Sequence, residues 1–139
     1  QIKIFAYEAS PITALIAKEN VRLNGLQNRV FVESLAVTSD GRDIQVTSCI
    51  TKDMLSRVGR SLKSRACRGK QKVVLSASSV SFQSIVGDNN ITRLGLLKMD
   101  CEGCECDVLP QIHALGDKFA ISNVVGECHP EMSTQTCLE

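Results

Sequence analysis

Strand-like and helix-like segments alternate along this chain, and the alternation predicts an α/β fold: a doubly wound, largely parallel sheet with crossover helices. Three observations carry the prediction. Residues 2 to 7, Ile-Lys-Ile-Phe-Ala-Tyr, read as a strand that runs into a helix signal at Ser10-Pro11. Leu94 to Met99 is an apolar run ending in Asp100, Glu102 and Gly103, followed at once by a helical stripe of Val108, Leu109, Ile112 and Leu115. Ile121 to Glu127 repeats the strand pattern after that helix.

The elements follow in order. Ser10 is a natural N-cap with Pro11 at the first helical position, and Ile12, Leu15, Ile16, Val21 and Leu23 make an apolar stripe that stops at Asn24-Gly25. Arg29 to Leu35 is a second strand, rich in β-branched and aromatic residues. It leads through Ala36-Val37 to a turn at Ser39-Asp40-Gly41 and an antiparallel excursion over Ile44 to Ser48. Met54, Leu55, Val58 and Leu62 allow a short amphipathic helix, and Ser64 to Lys70 reads as a loop. Val73 to Phe82 alternates as a strand, with Ser81 placed to cap a helical turn through Ile85. Leu94 to Asp100 is then a strand, Glu105 to Leu115 a helix and Ile121 to Glu127 a strand.

The chain's 139 residues have the size of one domain. With no initiator Met, and a strand as its opening, it is expected to be a segment of a longer protein. No run approaches the roughly 18 to 20 apolar residues of a membrane span, and the start lacks the layout of a signal peptide. The net charge of +1 hides a segregation. Lys52 to Lys72 holds eight basic residues against one acid, whereas Lys98 to Glu139 holds two against eight. The basic stretch is of a kind that binds phosphate, nucleic acid or an anionic surface, but it has no aromatic residue for base stacking, so a solvated insertion at about 50 to 72 is the stronger reading and no nucleic-acid partner is expected. Seven cysteines are an odd set, three of them crowded at 101, 104 and 106. A disulfide framework would spread an even set, so reduced, metal-free cysteines and a reducing, cytoplasmic compartment are expected.

Three strand ends carry acids: Glu8, Asp100 with Glu102, and Glu127 beside His129. In open α/β sheets ligands bind outside the carboxyl ends of the strands. An acid at the end of a strand before a helix suits a ribose diol, because a carboxylate accepts two hydrogen bonds in a fork. Glu8 has that position, and the bland alternative is an exposed strand-end acid with no role.

Several blocks then occur together in one order: Phe5-Ala6-Tyr7-Glu8-Ala9-Ser10-Pro11, the helix with Asn20 and Asn24-Gly25, Val30 to Ala36, Leu97-Lys98-Met99-Asp100-Cys101-Glu102-Gly103-Cys104-Glu105 with Val108-Leu109, and Val125-Gly126-Glu127-Cys128-His129-Pro130. In this combination the chain resembles the FkbM-type S-adenosylmethionine-dependent methyltransferases from residue 2 to about 130, with a break at Ile50 to Gln71.

The resemblance implies a Rossmann-like class I methyltransferase sheet, here incomplete, with residues 1–139 forming a partial methyltransferase domain. It implies S-adenosylmethionine as cofactor and a small-molecule or sugar hydroxyl as methyl acceptor. By position Glu8 would hold the ribose hydroxyls, Ser34, Leu35 and Ala36 would border the adenine, and Asp100 and Glu102 would lie at the methyl-transfer edge, Asp100 also touching the cofactor. Glu127 and His129 would face them. Asp100, Glu102 or His129 would be the general base. The family's acidic, glycine-rich cofactor loop does not precede Glu8, so the segment alone is expected to bind cofactor weakly and to be active only within a longer parent. Exposed sheet edges favour pairing with a second copy.

Two rivals stand beside this reading. One is a zinc-binding or redox module built from Cys101, Cys104, Cys106, Cys128 and His129, a set that can supply tetrahedral ligands. The other is a methyltransferase-like interaction domain without catalysis.

Overall fold

The computed structural model describes residues 2–50, 58–59, 71–101 and 103–127. The chain divides into two compact units, Gln1–Ala36 with Arg42–Ser79, and Val37–Gly41 with Val80–Glu139.

The first unit opens with β1 (Ile4–Tyr7), α1 (Pro11–Leu23) and β2 (Val30–Glu33), and β1 and β2 pair in parallel with Tyr7 opposite Glu33. This is the expected strand–helix–strand unit. Ser10 caps the helix, its Oγ accepting the Thr13 N–H at 3.3 Å, and Gly25 takes the left-handed φ of 65° that lets the chain turn away after α1. Across the strand pair Phe5 stacks on Phe31 with ring centroids 5.5 Å apart.

The apolar stripe expected to bury α1 is not its inner face. Leu15 is 68% exposed, and Ile12, Ile16 and Leu23 are exposed as well, whereas Ala14 is 1% exposed and Ser10, Thr13, Ala17 and Val21 share its side of the helix. The reason is steric. The small side chain of Ala14 lets the backbone of α1 approach its neighbours on that face.

The excursion expected at Ile44 is present and longer than expected. Strand β4 (Ile44–Ile50) pairs antiparallel with both β5 (Val58–Gly59) and β6 (Gln71–Ala77), with Ile44 opposite Ala77 and Val46 opposite Leu75. The helix expected around Val58 is therefore corrected: Val58 and Gly59 are strand. A β-branched residue followed by glycine is a weak helix former, and the open edge of β4 supplies the backbone partners. The remainder of the basic insertion, including the expected loop at Ser64 to Lys70, lies outside the described residues.

Strand β3 (Ala36–Thr38) pairs with β7 (Ser79–Ser81), and the Ala36 N–H donates to the Ser78 carbonyl at 2.9 Å. In the second unit Ser81 caps α2 (Phe82–Asp88), its Oγ accepting the Ser84 N–H at 3.0 Å. Two short strands, β8 (Arg93–Leu94) and β9 (Leu97–Met99), precede α3 (Glu105–Leu115), and β10 (Ala120–Ile121) and β11 (Val124–Gly126) return in parallel to β8 and β9 respectively. Each expected continuous strand is thus broken once, at Gly95-Leu96 and at Ser122-Asn123. The Asn123 amide donates to the Gly95 carbonyl at 3.0 Å, so the breaks face each other and hold each other.

Phe82, Val86 and Val108 form the core of this unit, packed by Val37, Leu97, Met99 and Ile112, with Phe119 edge-on to Phe82 at 5.8 Å. The buried Gln111 is fully used. Its amide donates to the carbonyls of Thr38 at 3.1 Å and Asp107 at 2.6 Å, and its Oε1 accepts the Gln83 N–H at 3.3 Å. One side chain thereby ties β3, α2 and α3 together, as buried polar groups require.

The α/β class and the parallel strand–helix–strand units agree with the sequence reading. The hydrogen-bonded strands form small sheets of two or three.

Gly126 marks a close approach in the second unit, because a Cβ there would lie 2.3 Å from the Met99 carbonyl oxygen, a backbone atom in the paired strand. Gly126→Ala is expected to push β11 off β9 and to lower the unfolding free energy by about 1–3 kcal/mol, the usual cost of overpacking. An unchanged denaturation midpoint would refute the close approach.

Candidate functional site

Two of the parallel strand pairs, β1 with β2 and β9 with β11, carry acids at their carboxyl edges. In the first unit the register places Tyr7 opposite Glu33, so the next residues, Glu8 and Ser34, leave the two strands side by side, and the Glu8 N–H donates to the Glu33 carbonyl at 3.0 Å. Glu8 Oε1 accepts the Ser10 N–H at 2.8 Å, which braces the turn into α1. Its second oxygen has no hydrogen-bond partner among the described residues. Ser34 and Leu35 are half-buried and Ala36 is buried at the start of β3. Glu8 and Ser34 therefore leave β1 and β2 at one edge, and Leu35 and Ala36 follow Ser34 in the chain.

In the second unit Met99 is opposite Gly126, and the Glu127 N–H donates to the Met99 carbonyl at 3.2 Å. Asp100 and Glu127 thus leave β9 and β11 at the same edge. Asp100 is exposed, and Lys98 Nζ lies 3.4 Å from its Oδ2 in an equally open ion pair. Glu102, Cys128 and His129 lie outside the described residues, so of the three candidate bases Asp100 is the one whose position is described.

The carboxylate that organises this edge is one to which the sequence reading assigned no role. Glu105, the first residue of α3, is only 2% exposed, and its two oxygens accept the N–H groups of Cys101 at 3.0 Å and Gly103 at 2.8 Å. Gly103 has φ of 110°, a left-handed conformation that glycine takes without strain. The turn after β9 is therefore held by a buried carboxylate reaching back from the helix that follows it. The signal was in the sequence: an acid at a first helical position, two residues past a glycine, faces the N–H groups of the turn before it.

The cysteines overturn one expectation. Cys101 and Cys104 form a disulfide, with Cα atoms 5.4 Å apart, and Cys106 is also disulfide-bonded. Crowding into one turn was read as a sign against disulfides, yet the turn that Glu105 holds brings 101 and 104 within bonding reach. Sulfurs joined to each other are not thiolate ligands, which removes Cys101 and Cys104 from the zinc alternative in this state. Among the described residues no group of three or more His, Cys, Asp or Glu side chains is placed to hold a metal ion. Nor, among them, is any helix long and apolar enough to cross a membrane.

In open α/β sheets ligands bind outside the carboxyl ends of the strands, and each of these two strand pairs carries an acid there. The chain belongs to the methyltransferase FkbM domain family, whose model matches residues 2–137. It is a methyltransferase by that membership. No curated protein and no solved structure matches it.

Proposed function

We propose that this chain is the S-adenosylmethionine-dependent O-methyltransferase domain of its protein, built as a Rossmann-like sheet and acting on a hydroxyl of a small molecule or sugar. The single observation that supports the cofactor most directly is the edge at β1 and β2. Glu8 has one oxygen engaged by the Ser10 N–H and the other without a partner among the described residues, and Ser34 stands beside it at the end of β2. These residues fit the ribose end of the cofactor: Glu8 accepts from a hydroxyl, and Ser34 with Ala36 borders the base. S-adenosylmethionine, when bound, supplies an electrophilic methyl group.

The protein's part is positioning and proton removal. An acceptor hydroxyl must be held in line with the methyl group, and near-attack alignment accounts for much of the acceleration in such transfers. Asp100 takes the hydroxyl proton on one of its carboxylate oxygens; Glu102 and His129 are the alternative bases that the family resemblance implies. Lys98 Nζ stands 3.4 Å from Asp100 Oδ2 at this edge.

Glu8→Ala, made in the full-length parent protein, tests the cofactor assignment by calorimetry with S-adenosylmethionine and its demethylated product. Loss of a bidentate or charge-assisted hydrogen bond to the ribose is expected to weaken binding by about 10- to 100-fold, the span of 1.5–3 kcal/mol. Equal affinity in the two proteins would end the ribose role for Glu8.

A further inference from the structure

We propose that Cys101–Cys104 is a site of reversible thiol–disulfide exchange, opened by a small dithiol or a dithiol reductase and closed again without refolding of the domain.

Three observations carry this. The disulfide spans a separation of only three residues. So small a ring removes little entropy from the unfolded chain, and a structural staple gains most when it closes a long loop. Both cysteines are only half-buried, unlike Cys106 at 2% exposure, so an attacking thiolate has a path to them. The turn between them does not depend on the bond. Glu105 holds the N–H groups of Cys101 and Gly103 through its own carboxylate, and Gly103 takes its left-handed φ without strain. After reduction the two thiols therefore stay at the two ends of one braced turn, with the Cα spacing of 5.4 Å already in the range that a disulfide needs.

The exchange balances as follows. A reductant thiolate attacks one of the two sulfurs, the S–S bond breaks, and the other sulfur leaves as a thiolate that takes a proton from water. The reductant's second thiol, as its thiolate, then displaces the protein sulfur from the mixed disulfide. The protein gains two electrons and two protons, and the reductant becomes a disulfide. Cys104 sits at the N-terminus of α3, where the helix dipole stabilises a thiolate, so it is the favoured leaving group and the mixed disulfide forms on Cys101. The acids Glu105 and Asp107 share that first helical turn and oppose the effect, but the Glu105 charge is already engaged by two N–H groups. Because Cys101 follows Asp100 directly, opening the bond acts on the residue next to the edge acid.

The test is a dithiothreitol titration of the folded chain, quenched with N-ethylmaleimide and read by peptide mass spectrometry, with circular dichroism recorded on the same samples. Cys101 and Cys104 are expected to become labelled together at a reductant concentration at least about 10-fold below that needed for Cys106, with the dichroism unchanged, and to lose their reactivity again on adding oxidised glutathione. Labelling without any reductant, or labelling only alongside Cys106 as the dichroism collapses, would overturn the proposal. Cys104→Ser gives an independent check: it leaves Cys101 as a lone thiol that is expected to react without reductant, and an unreactive Cys101 in that variant would mean that attacking thiols are shut out.

Discussion

Replacing Asp100 by asparagine is expected to lower methyl transfer by ~10²–10⁴-fold, the contribution typical of a positioned general base. The substitution preserves shape and removes only the ability to take a proton. Asp100 stands at the carboxyl edge of β9, opposite the position where Glu127 leaves β11, and its described interaction is the ion pair with Lys98. That pair is exposed, with side chains 66% and 47% accessible, and exposed pairs contribute about 0–1 kcal/mol. Turnover should therefore collapse while the melting temperature barely moves. Release of demethylated cofactor in the presence of hydroxyl acceptors, measured alongside thermal unfolding, separates the two properties. Turnover within a few-fold of the parent would remove Asp100 from the chemistry and leave Glu102 or His129 as the base.

Glu105→Ala should do the reverse. Its carboxylate accepts two backbone N–H groups of the turn after β9, one of them fully buried, and a charge-assisted hydrogen bond is worth ~1.5–3 kcal/mol when its loss leaves a buried donor unpaired. The two together give an expected loss of about 2–5 kcal/mol in unfolding free energy, since water reaches the Cys101 amide more readily than that of Gly103. Glu105→Gln should recover only part of this, because a single carbonyl oxygen replaces two acceptors and the new NH₂ faces a donor. Denaturant unfolding of both variants decides it. A loss below about 1 kcal/mol in Glu105→Ala would show that the disulfide, and not Glu105, holds the turn. The contrast with Asp100 is instructive: two acids five residues apart are expected to serve opposite ends, one exposed and chemical, the other buried and structural.

The motif that pointed to function was legible because its signals are local. The Ser10-Pro11 and Ser81 caps, the turn at Asp40-Gly41 and the helix starting at Glu105 all depend on hydrogen bonds within a few residues, and all appear where the sequence placed them. Packing was less legible. The stripe of Ile12, Leu15, Ile16 and Leu23 has helical spacing, but spacing identifies a helix without saying which side the strands will take, and Ala14 on the opposite side is the buried residue. Val58 followed the same logic in reverse: an apolar residue at helical spacing became a strand because β4 had an edge to fill.

What the sequence determined by itself was the order of elements and the placing of acids at strand ends, since both follow from period, capping and turn chemistry along the chain. The alternation predicted the α/β class, and the motif blocks carried the resemblance to the family, which in turn implied roles for Glu8, Ser34, Ala36 and Asp100. Tertiary structure alone decided the rest: that β1 with β2, and β9 with β11, bring those acids out on shared edges; that Glu105 reaches back to grip the turn before it; and that Cys101 and Cys104 are bonded. Each of these depends on distances between atoms set by chain reversal and close packing, and a carboxylate's partners or a sulfur's bond cannot be read from spacing until the backbone has brought them within a few ångströms.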